Sequence, residues 1–494
     1  MTIDPAEKSA LYHIANPKSI AFFGASNNFN RMGTIILDSL RALGFEGPVY
    51  PVHPKETQVL GYAAYSSVAE LPEAPDLAIM VLPTDVVGQY LEACGKRGTR
   101  HAVIVSGGFK EVGGRGPELE AEVKQIADRH SIRFLGPNCL GVANPHQRLN
   151  PTPFHYDAEP GFIGLASQSG SFVTQMFNYL AGYGLGYSTA FSVGNEANID
   201  IVDCMEYLAT CPHTRVIALY IEGIRRGDRF IEAARKIVPH KPIIALYIGG
   251  TEAGRRAGFS HTGSMAGPDA LYAGMFKQSG IIRAASLTEM FDLCWALGTL
   301  PLPAGNRVLV QTHSGGPGAT AADACDRDGL VLPQLSGSIV QALRPFMPHT
   351  GTLGNPVDLT FSKSPMDYFD EIPAVLLEEE NTDILMVYFL APSAFIERAF
   401  KQRGLTPEKV AEESRKLALD AAEKFINVVS AQDKPVVGFT YRSLNEAFTR
   451  HLITGGIPIF PDPKRASRAL RALLDYKKWK VRLPEEKAPD RGDA

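Results

Sequence analysis

Cysteine is sparse: six residues, Cys94, Cys139, Cys204, Cys211, Cys294 and Cys325, are scattered over 494 positions, and no two form a C-x-x-C pair. That spacing indicates neither a zinc site nor a disulfide framework. Positive charge is not in excess either. The net charge is −4 and no basic tail or stripe runs along the chain, which argues against nucleic acid as the main partner. No apolar run is long enough to span a bilayer, and Met1-Thr2-Ile3-Asp4-Pro5 shows no basic region followed by an apolar one. No membrane partner is expected, and a reducing cytoplasm is the plain reading. The G-x-G-x-x-G fingerprint is missing too: after Gly24 the next glycine is Gly33. This disfavours an NAD-dependent oxidoreductase.

What is present is 45% apolar and 21% charged residues, the balance of a soluble globular chain with a sizeable core. At ~150 residues per domain the length predicts roughly three. In the first, residues 1–147, apolar strands are predicted at 19–23, 49–52, 77–82, 101–105 and 132–135, with helices at about 32–43 and 117–129. Apolar strands alternating with helices make a parallel, doubly wound α/β sheet. Ligands of such sheets sit beyond the carboxyl ends of the strands, where Gly24-Ala25-Ser26, Ser106-Gly107-Gly108 and Gly136-Pro137-Asn138 cluster. Where an NAD site would carry an acid after the second strand, this chain has His53-Pro54-Lys55. Lys55 and Arg31 are therefore either phosphate partners or ordinary solvated charges.

The second domain, residues 148–302, begins at the crossing Asn150-Pro151-Thr152-Pro153. A strand at 162–166 runs into Ser167-Gln168-Ser169-Gly170-Ser171 and a helix to about Ala181. A strand, a small-residue turn and a helix start together form a phosphate site; the plainer alternative is a Ser-capped helix. Further strands are predicted at 188–193, 216–220 and 242–248, the second of them leading into Ile221-Glu222-Gly223. Glu222 either hydrogen-bonds a histidine ring or pairs with Arg225 or Arg226 next door. The segment Gly258-Phe259-Ser260-His261-Thr262-Gly263-Ser264-Met265-Ala266-Gly267 sets one imidazole among small residues. A neutral imidazole is a nucleophile near neutral pH, so His261 is the residue expected to be transiently phosphorylated.

The third domain, residues 303–475, repeats the strand-to-glycine-to-helix unit at 307–327, through Thr312-His313-Ser314-Gly315-Gly316-Pro317-Gly318. Later strands are predicted at 384–390, 436–440 and 457–460. His313 reads as part of a tight turn, and Asn355-Pro356-Val357-Asp358 as a turn rather than an acid projected into a site. Residues 476–494 are read as a loose C-terminal tail, charged and proline-containing from about Pro484.

Eight stretches in order now fit one family: Gly24-Ala25-Ser26, Pro51 to Lys55, Ser106 to Glu111, Gly136 to Gly141, Ser167 to Gly170, Ser192 to Asn195, Ile221-Glu222-Gly223 and Ser260 to Ser264. Together they resemble the alpha part of NDP-forming acyl-CoA synthetases, the ADP-forming acetate–CoA ligase group of the succinyl-CoA synthetase superfamily. The resemblance implies an N-terminal Rossmann-like CoA-binding domain followed by two flavodoxin-like, succinyl-CoA ligase-like domains. It implies a phosphohistidine at His261 steadied by Glu222, a phosphate cradle at Ser167, Gln168, Ser169 and Gly170, and CoA near Gly24, Ser26, Arg31, Lys55 and Asn138. The activity implied joins a carboxylic acid to CoA with ATP, through an acyl phosphate, giving ADP and phosphate. ATP/ADP and Mg would sit on an ATP-grasp beta subunit, a partner for which no room is left after the third domain. His313 departs from the family, which more often has Asn or Thr there. The alternative is a non-catalytic CoA- or acyl-CoA-binding regulatory protein of the same fold, against which the His261–Glu222 pair argues. The acid, the choice of ATP or GTP, and the oligomeric state are not written in these motifs.

Overall fold

The run Ile20-Ala21-Phe22-Phe23 is buried at every position, as a strand covered on both faces must be. It is β1 of a computed structural model that describes residues 9–254, 267–360, 364–390, 400–402 and 405–482. Helix α1 (Met32–Leu43) follows and stops at Gly44, whose left-handed backbone ends the helix. Next come β2 (Val49–Val52), β3 (Leu77–Met80), α2 (Thr84–Arg97), β4 (His101–Ile104), α3 (Gly116–Arg129) and β5 (Arg133–Leu135). All are parallel, in the order β2-β1-β3-β4-β5. The order reverses between β1 and β3, which opens a crevice beyond their carboxyl ends.

The second sheet contains β6 (Val142–Ala143), β7 (Ile163–Ser167), β8 (Tyr187–Ser192), β9 (Val216–Ile221), β10 (Ile243–Tyr247) and β11 (Ile282–Arg283). Their order is β11-β10-β9-β7-β8-β6, parallel except for β6 at the edge. Helices α4 (Gly170–Gly182), α5 (Ile201–Thr210), α6 (Gly227–Ile237) and α7 (Asp269–Ser279) connect these strands. Val142 and Ala143 of β6, which fall within residues 1–147, pair with Phe191 and Ala190 of the second sheet.

Backbone proximity divides the chain into two units, residues 1–181 with 185–290, and 182–184 with 291–494. The first unit holds both sheets above. The second is built on β12 (Val308–Thr312), α8 (Gly315–Arg327), β13 (Thr352–Leu353), β14 (Val357–Asp358), β15 (Ile384–Tyr388), α9 (Pro407–Ser430), β16 (Val436–Phe439), α10 (Ala447–Thr454), β17 (Ile459–Phe460) and α11 (Pro463–Arg482). Its sheet runs β13-β14-β12-β15-β16-β17.

Two expectations are corrected here. Val357-Asp358 is a strand, not a turn: it pairs in parallel with β12 and antiparallel with β13. The Asn355 amide holds it there, accepting from Val310 N–H and donating to the carbonyls of Val308 and Pro333. The tail is not loose from residue 476: α11 continues to Arg482, and Leu470, Leu473, Leu474 and Tyr476 are buried along one helical face. All six cysteines are buried thiols. Among the described residues no helix is long and apolar enough to cross a membrane.

Candidate active site

At the carboxyl end of β1, Gly24 has φ +92°, and a Cβ there would lie 1.9 Å from the Val81 carbonyl oxygen. Only glycine lets the chain turn this close to β3. The Ser26 N–H donates to Thr34 Oγ1 at 3.1 Å, and that hydroxyl donates back to the Ser26 carbonyl at 3.0 Å. The turn is thereby tied to the first turn of α1. Arg31 is the N-cap residue of α1 and Lys55 lies past β2, both with exposed side chains. Glu56, the charge beside Lys55, is turned to the Asn27 amide and to His53 Nε2 at 4.0 Å.

Asn138, which also has a left-handed backbone (φ +58°), faces the second sheet. Its N–H donates to the Ser106 carbonyl and its Nδ2 to Asn195 Oδ1 at 3.3 Å. The Asn195 N–H donates to the Pro137 carbonyl at 2.9 Å, and Ala197 N–H to Gly136. Gly194 permits this approach: a Cβ there would lie 2.3 Å from the Pro137 oxygen.

The phosphate-site expectation falls on a strand-to-helix turn. Ser167 ends β7, fully buried, with its hydroxyl on the Ser169 carbonyl at 2.6 Å. Ser169 Oγ is 3.2 Å from Ser171 Oγ, and α4 starts at Gly170. Free N–H groups and the positive end of the helix dipole meet there. β9 lies beside β7 with Tyr220 opposite Ser167, so the residues after each strand stand abreast. Gln168 Oε1 accepts from the N–H groups of Glu222 and Gly223, while its Nε2 donates to the Gly223 carbonyl at 2.6 Å and to Glu196 Oε2 at 2.9 Å.

The two arginines beside Glu222 are committed elsewhere. Arg226 binds the carboxylates of Asp200 and Asp203, and Arg225 donates to the carbonyls of Asn195 (2.7 Å) and Glu196 (2.8 Å). Glu222 and Gln168 line a cavity of about 110 Å³ together with Lys110, Asn195, Glu196, Arg225 and Tyr272. Lys110 Nζ reaches the Asn195 carbonyl and Glu120 Oε1 (3.5 Å), and burial lowers its pKa against the pull of that carboxylate. Burial pushes the Glu196 carboxyl up to about 7, against hydrogen bonds from Gln168 and Ile201.

Of the expected site residues, then, 167–170 and Glu222 come together, Asn138 touches the cavity wall through Asn195, and Gly24, Ser26, Arg31 and Lys55 belong to the edge of the first sheet. His261 lies outside the described residues. Sequence reasoning missed Lys110, Asn195, Glu196, Arg225 and Tyr272 as cavity residues. The available signal was Ser192-Val193-Gly194-Asn195, small and polar residues directly after a strand. His313 packs its ring 5.0 Å from Tyr368 and 5.1 Å from Tyr388, and burial lowers its pKa.

Three family models match the chain: a CoA binding domain over residues 18–145, a succinyl-CoA ligase like flavodoxin domain over 160–297 and a Ligase-CoA domain over 308–434. The chain is 39% identical to the alpha subunit of acetate–CoA ligase (ADP-forming) II of Pyrococcus furiosus, over 95% of this chain and 98% of that subunit. It is 36% identical to acetate–CoA ligase (ADP-forming) I of Archaeoglobus fulgidus over 94% of its own length, but spans 63% of that protein. Among solved structures, a dinucleotide-forming acetyl-coenzyme A synthetase 1 from Ca. Korarchaeum cryptofilum, in complex with phosphate and ADP, superposes with a TM-score of 0.83. Its sequence is 33% identical, covering 95% of this chain and 97% of that one.

Proposed function

Since this chain belongs to the NDP-forming acyl-CoA synthetases, with the alpha subunits of the ADP-forming acetate–CoA ligases, we propose that it is the catalytic alpha component of an acid–thiol ligase. The reaction interconverts a carboxylic acid, CoA and ATP with acyl-CoA, ADP and phosphate. The observation that carries this reading is the Gln168 bracket, which ties the helix start at Gly170 to the backbone of Glu222 at one sheet edge.

In the forward direction a ring nitrogen of His261 takes the γ-phosphoryl group of ATP and ADP leaves. A carboxylate oxygen of the acid then attacks that phosphorus, freeing the imidazole and forming an acyl phosphate. The CoA thiolate attacks the acyl carbon, and phosphate departs as a far better leaving group than the original carboxylate oxygen. Glu222 stabilises the charged ring, and the N–H groups at Ser169-Gly170 hold phosphoryl oxygens in place as charge moves. CoA lies along the first sheet, at Gly24, Ser26, Arg31, Lys55 and Asn138. That CoA-binding domain spans residues 1–147, and the succinyl-CoA ligase-like domain runs on from 148 to about residue 302. A second flavodoxin-like domain, from 303, follows it. The nucleotide and its Mg²⁺ sit on an ATP-grasp beta partner, and the complex works in the cytoplasm.

The chain co-purified with its beta partner, given a panel of carboxylic acids, CoA and ATP, is expected to release ADP and phosphate in step with acyl-CoA. Release of AMP and pyrophosphate, or no acid-dependent release, contradicts the reading.

A further inference from the structure

Glu196 is a non-glycine residue held in the left-handed region, φ +52°, a strained conformation that persists where the surroundings impose it. The residue is 7% exposed, and nothing about its burial favours a carboxylate. Both oxygens are nevertheless engaged. Oε1 accepts from Ile201 N–H at 2.9 Å, at the start of α5, and Oε2 accepts from Gln168 Nε2 at 2.9 Å.

The Gln168 amide is saturated. Its two donors go to Glu196 and to the Gly223 carbonyl, and its oxygen receives the N–H groups of Glu222 and Gly223. An amide fits this setting in one orientation only. Turned over, its NH₂ would face two N–H groups and its oxygen would face a carboxylate.

We propose that Glu196 is a positioning residue for Glu222: by anchoring the second N–H of the Gln168 amide, it steadies the backbone from which the Glu222 carboxylate projects. The inference rests on the role given above to Glu222. It assigns to Glu196 no contact with substrate. From this left-handed turn the acid reaches both Gln168 and the α5 N–H.

The test is E196Q in the complete enzyme with its beta partner. A glutamine has the same shape but one accepting atom, so it must present an NH₂ either to Ile201 N–H or to Gln168. The expected result is a fall in kcat of about 10- to 100-fold, the range for an outer partner of a functional group, with the KM for CoA unchanged. The double variant E196Q/E222Q is expected to be no slower than E222Q alone, since both act on one group. Wild-type kcat in E196Q, or losses that multiply in the double variant, overturns the proposal while E222Q remains impaired. Wild-type turnover in E222Q removes Glu222 from the reaction, and the inference falls with it. Should E196Q not fold, Gln168→Met breaks the same relay from its other end, and there an unchanged kcat overturns it.

Discussion

A Glu222→Gln enzyme is expected to turn over about 10²- to 10³-fold more slowly than the native one, the usual cost of removing a preorganised group that stabilises transient charge. The substitution keeps the side chain's shape. Gln168 binds the main chain at 222 and 223, not the Glu222 carboxylate, so the bracket between the two strand ends survives. What is lost is the negative charge to which the proposed mechanism assigns the steadying of a phosphorylated imidazole. The melting temperature is expected to stay at the native value while steady-state turnover and the rate of phosphoenzyme formation fall together. Native turnover would remove Glu222 from the chemistry. A fall in both turnover and melting temperature would recast it as a structural acid.

The largest effect on stability is expected in the second unit, at Asp292. Its side chain is 5% exposed and takes a two-pronged interaction from Arg465, Nε to Oδ2 at 2.7 Å and Nη2 to Oδ1 at 2.6 Å. Paired geometry of this kind makes a strong hydrogen-bonded ion pair. Asp292→Ala leaves the guanidinium without that carboxylate, and breaking such a buried pair costs about 3–5 kcal/mol. At ~2–4 °C per kcal/mol for a unit of this size, the melting transition should fall by roughly 6 °C or more. Replacing Asp292 with Leu and Arg465 with Met together should recover much of the loss, because no charge then remains buried. Calorimetry of the three proteins decides the point, and an Asp292→Ala protein melting at the native temperature contradicts it.

The longer strands of the large sheets were legible where a short apolar run is broken by glycine or a small polar residue at its carboxyl end, as at Phe23-Gly24 and Ser167-Gln168. The same punctuation located the carboxyl ends of those strands. Features that depend on a distant partner were not legible. Val142-Ala143 is too short to show any period, and only its pairing with Phe191 and Ala190 makes it a strand. Val357-Asp358 reads as a turn after a proline, yet the amide of Asn355 fastens it to β12. The end of α11 was hidden by Lys477, Lys478 and Lys480, which mask the buried spacing of Leu473 and Tyr476.

The site divides the same way. Ser167 to Gly170 and Glu222 announce themselves by their place after strands. Glu196 does not. Its importance comes from a backbone conformation and from a hydrogen bond to a residue 28 positions away, neither of which has a local pattern. Lys110 and Arg225 were hidden likewise. Their cationic groups converge on the Asn195 carbonyl only because the first and second sheets meet at Gly194.

Mapping the phosphoenzyme shows whether a phosphoryl group is carried on one imidazole. The complex is incubated with γ-labelled ATP, or the chain with an acyl phosphate, and the labelled peptide is identified. The expected result is an acid-labile, base-stable phosphoryl group on His261 that is discharged by the carboxylic acid and absent from a His261→Ala protein. Label that survives in His261→Ala, or a competent enzyme that never becomes labelled, contradicts it.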